Sequence, residues 1–309
     1  MPGLQNGSFR LFRFSGIDVF LHWSWFVVAA YEIQGRKGSY TSISWNVAEY
    51  LALFLIVLLH EFGHALACRQ VGGIANRIVL WPLGGVAYVD PPPRPGATLW
   101  SIAAGPLVNA ALVPILTGIG YLSRDMGWSA AMPNYHALLR AIWWINLSLL
   151  IFNLLPIYPL DGGQILRSLL WFVVGRARSL MAATFIGFAG VIGLFALAVW
   201  LASLWFGILA VFILMNCWRG LQHARALSKM AKLPRRIGYM CPVCKTSPPL
   251  GAFWKCSRCG QPFDTFANQA ACPHCAVRFE TTACLDCRRA NPISSWASSD
   301  MLNVASATR

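Results

Sequence analysis

The fold is decided by the run Tyr50-Leu-Ala-Leu-Phe-Leu-Ile-Val-Leu-Leu59, which leads directly into His60-Glu61-Phe62-Gly63-His64. The run has no charged side chain, which is typical of a helix inside a lipid bilayer. On a helix, residues four positions apart share a face, so His60 and His64 can reach one metal ion. Glu61 lies beside them and can take a proton from a metal-bound water. The sequence therefore places a metal-binding motif at the end of a membrane helix.

The composition supports a membrane protein. The chain has 309 residues, of which 57% are hydrophobic and only 12% are charged. Soluble domains carry about a quarter of charged residues, and the deficit here lies mainly before residue 220. Residues 1–13 lack a signal-peptide cleavage site behind an apolar core, so the apolar segment 17–33 is expected to remain as a membrane anchor. The formal net charge of +14 is explained by retention of Lys and Arg on the cytoplasmic side of the membrane.

Six membrane-spanning helices are predicted. The apolar run 184–218 is divided into two of them, because a single helix would be roughly 50 Å long against a hydrocarbon core of about 30 Å. Basic residues precede the first span and follow the even-numbered spans, which predicts that both termini lie in the cytoplasm. The His60–His64 end of the second span would lie on the same side. The predicted spans are 17–33, 47–68, 99–122, 137–157, 180–200 and 203–218.

A β-hairpin is predicted between the second and third spans. Two short β-prone runs flank Pro82-Leu-Gly-Gly85. The segment is too short to span and too apolar for an ordinary loop, so a re-entrant hairpin buried against protein is expected. The predicted fold class is therefore an all-α polytopic membrane protein with about six transmembrane helices, a re-entrant β-hairpin and a small C-terminal zinc-ribbon domain.

An acidic residue after the fourth span completes the predicted metal site. The sequence there is Asn153-Leu-Leu-Pro156-Ile-Tyr-Pro159-Leu-Asp161-Gly-Gly-Gln164. The prolines end the helix, and the two glycines free the backbone after the acid. An ionised Asp near hydrocarbon needs a partner, and the ends of spans two and four face the same side. We therefore expect His60, His64 and Asp161 to hold one zinc ion, with a fourth position open.

The C-terminal region is predicted to bind zinc through cysteine. Eight of the ten cysteines form Cys-x-x-Cys pairs after residue 240, a spacing typical of zinc knuckles rather than disulfides. Two pairs make one four-thiolate site, so two structural sites are expected, and the order of pairing stays open. Gly260 suits the tight turn that follows a knuckle. The pairs are Cys241 with Cys244, Cys256 with Cys259, Cys272 with Cys275, and Cys284 with Cys287.

Taken together, these motifs resemble those of the site-2 protease family of intramembrane zinc metalloproteases. The arrangement of six spans with the histidine motif in the second is similar to the bacterial sporulation-protease branch. That branch often carries a nucleotide-sensing domain at its C-terminus, where this chain has cysteine pairs. The matching stretches are Leu58-Leu-His-Glu-Phe-Gly-His64, Pro82-Leu-Gly-Gly85, Ala104-Gly-Pro-Leu-Val-Asn109, and Asn153 through Gly163.

The resemblance implies a three-helix catalytic core and cleavage of a transmembrane segment. It assigns His60, His64 and Asp161 as zinc ligands and Glu61 as the catalytic base. Asn153 matches a polar position of the family near the oxyanion and is predicted to be catalytic. For both Asn153 and Asn109, a structural role in hydrogen bonding between helices is an equal alternative.

Four regions are predicted along the chain. They are a transmembrane metalloprotease domain at 1–220, a basic linker at 221–240, a tandem zinc-ribbon domain at 241–289 and a disordered tail at 290–309.

The predicted function is a zinc-dependent intramembrane endopeptidase with one catalytic and two structural zinc ions. Its expected place is a bacterial inner or plasma membrane. Expected partners are the lipid bilayer, a membrane-spanning protein substrate and a cytoplasmic protein bound through the zinc ribbon, with nucleic acid not favoured. The alternative is a non-catalytic membrane scaffold whose zinc ribbon recruits cytoplasmic partners, although the intact Glu61 argues against it. A transporter would fit the intramembrane charges, but the two halves show no repeat.

Overall fold

The computed structural model of the protein describes residues 7–36, 38–81 and 84–297. Contacts between Cα atoms divide the chain into two compact units, Met1–Ala224 and Arg225–Arg309. The division lies close to the boundary expected at residue 220.

The first unit is mainly helical. In the described part of the chain, five helices are long and apolar enough to cross a membrane. They are α2 (Ile43–Gln70), α3 (Pro95–Asp125), α5 (Pro133–Leu154), α7 (Arg176–Trp200) and α8 (Leu204–Ala231). Shorter helices are α1 (Ser24–Gly35), α4 (Trp128–Ala131) and α6 (Asp161–Val174).

The prediction of a spanning helix at 17–33 is wrong. Its first part is a strand, β2 (Ile17–His22), and only the second part enters α1. A helix of 12 residues is about 18 Å long, well short of the roughly 30 Å hydrocarbon core. Ile17, Val19 and Leu21 are buried and alternate with more exposed residues, which is the two-residue period of a strand. A long hydropathy window averages over this alternation.

The fold is also not all-α outside the hairpin. Four strands form one sheet. In their order across the sheet they are β1 (Ser8–Phe14), β2, β3 (Ile74–Trp81) and β4 (Gly84–Asp90). Strands β3 and β4 form the predicted hairpin, paired from Ile74 opposite Asp90 to Trp81 opposite Gly84, while Pro82 and Leu83 lie outside the described residues. Strand β2 pairs in parallel with β3 and antiparallel with β1.

The chain from β2 through α1 runs antiparallel along α2. Hydrogen bonds join the two along most of the length of the helix, so β1 and β2 lie at the C-terminal end of α2 and the end of α1 lies at its N-terminal end. In that order the bonds are Arg69 Nη2 to Gly16 O at 3.0 Å, Tyr50 Oη to Trp25 O at 2.7 Å, and Asn46 Nδ2 to Arg36 O at 2.9 Å.

The second unit is a small module built around cysteines and aromatic residues. Helix α8 continues to Ala231, so the first half of the predicted linker is helical. The short strands are β5 (Trp254–Lys255), β6 (Pro262–Phe263), β7 (Thr281–Ala283) and β8 (Ala290–Pro292). Arg235 and Arg236, predicted as linker residues, form ion pairs inside the module with Asp286 at 2.7 Å and Asp264 at 2.5 Å.

The prediction of a disordered tail from residue 290 is wrong for its first part. Residues Ala290–Pro292 pair with β7, and a 3₁₀ helix follows at Ile293–Trp296. Trp296 is fully buried among the aromatic and cysteine side chains of the module. A large indole that fills the core orders the chain around it. Residues 298–309 of the predicted tail lie outside the described residues.

Candidate metal centres

Three predicted metal ligands meet in the first unit. His60 and His64 lie one turn apart on α2, and Asp161 is the first residue of α6. Both histidines are buried, and the Asp161 side chain is 13% exposed. The distance from Asp161 Oδ2 is 3.0 Å to His60 Nε2 and 3.3 Å to His64 Nε2, and the two Nε2 atoms are 3.1 Å apart.

These distances fit a zinc ion. Zinc is held by nitrogen and oxygen at about 2.0–2.2 Å in tetrahedral sites, which puts neighbouring ligand atoms about 3.3 Å apart. The three measured separations lie within 0.3 Å of that value. The three atoms therefore occupy three corners of a tetrahedron of the right size for zinc.

The other ring nitrogens decide where the imidazole protons lie. His60 Nδ1 lies 2.5 Å from Asn109 Oδ1, and His64 Nδ1 lies 2.9 Å from Ser101 O. A carbonyl oxygen accepts only, so the Nδ1 atoms donate and both Nε2 atoms keep their lone pairs. Asp161 Oδ2 is buried and accepts no hydrogen bond among the described residues. Three lone pairs thus converge on one buried point, an arrangement that a bound cation would satisfy.

Asp161 is positioned by close packing of the loop before it. A Cβ on Gly162 would lie 2.5 Å from Leu155 O, and a Cβ on Gly163 would lie 2.7 Å from Ile157 O. The two glycines therefore let the loop backbone touch the first turn of α6. Neither glycine has a positive φ, so the physical reason for glycine here is close approach and not the backbone freedom expected from the sequence.

Helix α3 closes over the ligands at Gly105. A Cβ on this residue would lie 2.9 Å from His60 Nε2 and closer still to His64 Nε2. One turn along α2, a Cβ on Gly63 would lie 2.7 Å from Ala104 O. Only glycine at these two positions allows α2 and α3 to approach so closely, as small residues do between membrane helices.

Glu61 is held by the sheet. It is 5% exposed, and its Oε2 accepts a hydrogen bond from the Ala87 N–H of β4 at 2.8 Å. A Cβ on Gly85 would lie 2.5 Å from Oε1, so β4 passes directly against the carboxylate. The predicted hairpin therefore fixes the position of the Glu61 carboxylate.

Asn153 is not brought to the ligands by any observed contact. It is half-buried next to the last residue of α5, and its catalytic role stays a prediction. The structure instead places Asn109 against His60, and Asn146 of α5 against Asn109. Asn146 carries no motif that would have marked it in the sequence, and only its burial within an apolar helix singles it out.

In the second unit, eight cysteines form two four-thiolate clusters. All ten cysteines lie in the described part of the chain, and none forms a disulfide. The first and fourth pairs make one cluster and the second and third make the other, so the sites are nested rather than consecutive. Across each cluster the Sγ atoms are 3.6–3.7 Å apart, close to the roughly 3.8 Å expected for sulfur at 2.3 Å from tetrahedral zinc.

The four knuckles share one backbone geometry. In each, the residue after the second cysteine has a positive φ and donates its N–H to the carbonyl of the first cysteine. Gly260 is the expected glycine at this position, with φ 72°. Backbone N–H groups, first that of Cys259, lower the pKa of the Cys256 thiol to about 6, whereas burial raises the pKa of the Cys284 and Cys287 thiols in the other cluster. Low pKa values favour the thiolate, which is the form that binds zinc. The other three residues at this position are Lys245, Ala276 and Arg288.

The fold and the first site together define a class: a multi-pass integral membrane protein with a buried His-His-Asp cluster that could hold a metal ion. The model for peptidase family M50 matches residues 48–127 and 128–199. A zinc metalloprotease of Methanocaldococcus jannaschii is 37% identical over 183 residues, covering 59% of this chain and 51% of that protein. These matches confirm the resemblance to the site-2 protease family.

Other comparisons agree with this assignment. Stage IV sporulation protein FB of Bacillus subtilis is 35% identical over 120 residues, 38% of each chain. The solved site-2 protease from Methanocaldococcus jannaschii superposes with a TM-score of 0.50 and 26% identity, over 69% of this chain and 95% of that one. The chain spans about half the length of the first curated relative.

Proposed function

We propose that the protein is a zinc-dependent intramembrane endopeptidase. The observation that carries the proposal is the convergence of the His60, His64 and Asp161 lone pairs beside a fixed carboxylate, Glu61, within membrane-spanning helices. Relatives of the same family are named zinc metalloproteases. A three-ligand site leaves a position open, as catalytic zinc sites do and structural ones do not.

The roles of the residues follow from their contacts. Zinc, when bound, acidifies a water molecule and polarises the scissile carbonyl. Glu61 takes the proton from the attacking water and later delivers it to the leaving amine. Its Oε2 accepts a hydrogen bond from the Ala87 N–H, and both carboxylate oxygens keep lone pairs that can take a proton. The N–H of Ala87 also holds the carboxylate in one orientation, which general-base catalysis requires.

The proposed substrate is a membrane-spanning protein segment that unwinds near the site. An amide within a helix is hydrogen-bonded and shielded, so it must become extended before a water can attack it. Strand β4 lies at one edge of the sheet, and its Ala87 N–H donates to Glu61. An extended segment could therefore pair along β4, as peptides add to sheet edges.

The proposed topology places both termini in the cytoplasm of a bacterial inner or plasma membrane. Five spanning helices alone would put the two termini on opposite sides, so the proposal counts as a sixth passage the β2–α1 segment, part strand and part helix, which runs beside α2 from Arg69 to Asn46. Arg69, Arg77 and Arg94 lie at or after the C-terminal end of α2, and positive charge favours the cytoplasmic side. The metal site would then lie toward the cytoplasm.

The zinc count proposed is one catalytic and two structural ions. The second unit is proposed to recruit a cytoplasmic protein partner, and nucleic acid is not favoured. The scaffold alternative explains the module equally well, but it gives no reason for a hydrogen-bonded Glu61 beside three convergent ligands.

The test is co-expression with candidate single-span substrates, comparing wild type with Glu61→Gln. The variant should keep its zinc and lose cleavage by about 10²–10⁴-fold, since a general base contributes on this order. Zinc content measured on the same preparations is the control for folding. Cleavage that continues at the wild-type rate in Glu61→Gln would refute the proposal.

A further inference from the structure

We infer that Asn146 is a positioning residue that selects the metal-binding tautomer of His60 through Asn109. The inference rests on the zinc site of the proposed function, but it concerns metal binding and not proteolysis. Three helices contribute, with His60 on α2, Asn109 on α3 and Asn146 on α5. Both asparagines are fully buried, where side-chain amides need partners.

The hydrogen bonds form a chain with a defined start. Asn146 Nδ2 lies 3.0 Å from the backbone carbonyl Asn109 O, and Asn109 Nδ2 lies 2.8 Å from Asn146 Oδ1. Asn109 Oδ1 then lies 2.5 Å from His60 Nδ1. The chain begins at a backbone carbonyl and ends at an imidazole that holds the metal.

Along this chain of hydrogen bonds, the position of each hydrogen atom determines the position of the next. A backbone carbonyl only accepts, so Asn146 must turn its NH₂ group toward Asn109 O. The Asn146 oxygen then faces Asn109 and requires a donor, which orients the Asn109 NH₂ group. The Asn109 oxygen is left for His60 and can only accept. Nδ1 of His60 therefore carries the proton and Nε2 keeps the lone pair that zinc needs.

Without Asn146 this order is lost. The Asn109 amide could rotate by half a turn and present its NH₂ group to His60 Nδ1. Nε2 would then carry the proton and point it at the metal position. His64 has no such dependence, because its Nδ1 faces the backbone carbonyl of Ser101. The two histidines therefore differ, and only His60 relies on side chains for its tautomer.

The experiment measures zinc affinity of the full chain in detergent by competition with a chelator. The relevant zinc is the ion lost in the double variant His60→Ala plus His64→Ala. Asn146→Leu should bind this zinc about 10–100-fold more weakly, the usual effect of removing a residue that orients a metal ligand. Asn146→Ala removes the same amide with a smaller side chain and serves if the leucine variant does not fold.

Two matched variants separate positioning from packing. Thr117→Val removes a neighbouring bond between α3 and α5, from Trp143 Nε1 to Thr117 Oγ1 at 2.9 Å, and should keep wild-type zinc affinity. Asn109→Asp presents an oxygen to His60 in either orientation, so the zinc affinity of this variant is the reference for a background in which the His60 tautomer no longer depends on Asn146. In that background Asn146→Leu should no longer weaken zinc binding.

The outcomes are distinct. Loss of affinity in Asn146→Leu that disappears in the Asn109→Asp background supports the inference. An equal loss in both backgrounds, or wild-type affinity in Asn146→Leu and Asn146→Ala, overturns it. If the double histidine variant loses no zinc, the zinc site of the proposed function fails instead.

Discussion

Gly105→Ala should weaken zinc binding at the His-His-Asp site without unfolding the helix that carries it. The new Cβ would lie 2.9 Å from His60 Nε2 and closer to His64 Nε2, whereas ordinary contacts are about 3.5–4.0 Å. Neither ring can swing away easily, because its Nδ1 is hydrogen-bonded. Overpacking of this kind costs about 1–3 kcal/mol. Since 1.4 kcal/mol is tenfold, zinc affinity should fall by about 5–150-fold.

The assay is chelator competition on detergent-purified protein. The zinc bound by the cysteines is measured in the double variant His60→Ala plus His64→Ala and is subtracted. Gly118→Ala and Gly120→Ala are matched controls on the same helix, because a Cβ at either meets nothing within 4 Å. Both should bind zinc as wild type does. The reasoning is refuted if Gly105→Ala keeps wild-type zinc affinity, since α3 would then not cover the ligands as the structure shows.

Three further predictions concern Asp161 and the cysteine module. Asp161→Ala should lose the zinc of the first site and all cleavage while cysteine-bound zinc remains, and metal analysis showing an unchanged zinc count would exclude Asp161 as a ligand. A fragment of residues 225–297 should fold when zinc is added and unfold with a strong chelator, because so short a segment depends on metal for stability. In that fragment Trp296→Ala should lower the free energy of unfolding by about 3–5 kcal/mol, measured by denaturation; an unchanged value would show that Trp296 is not part of the core.

The sequence alone carried the argument wherever chemistry depends on local spacing. His60 and His64 are one helical turn apart, so their common face followed from the helix period. The Cys-x-x-Cys pairs identified thiolate sites for the same reason, since a knuckle is a local structure. Asp161 could be predicted as a third ligand from the sequence because an acidic side chain next to hydrocarbon needs a partner. Predicting these features requires no knowledge of contacts between residues that are distant in the sequence.

Tertiary structure decided everything that depends on partners distant in the chain. Segment 17–33 is apolar enough for a helix, yet parallel pairing of β2 with β3 makes its first part a strand, because tertiary contacts override local preference. The nested pairing of the cysteines follows from the fold of the whole module. The regular structure of the chain between residue 290 and Trp296 follows from the same fold, because Trp296 is buried in it. Asn146 acquires its place only where α3 and α5 meet, since its partner is 37 residues away. Spacing along the chain determines which atoms can bind a metal, and packing between helices determines how those atoms are oriented.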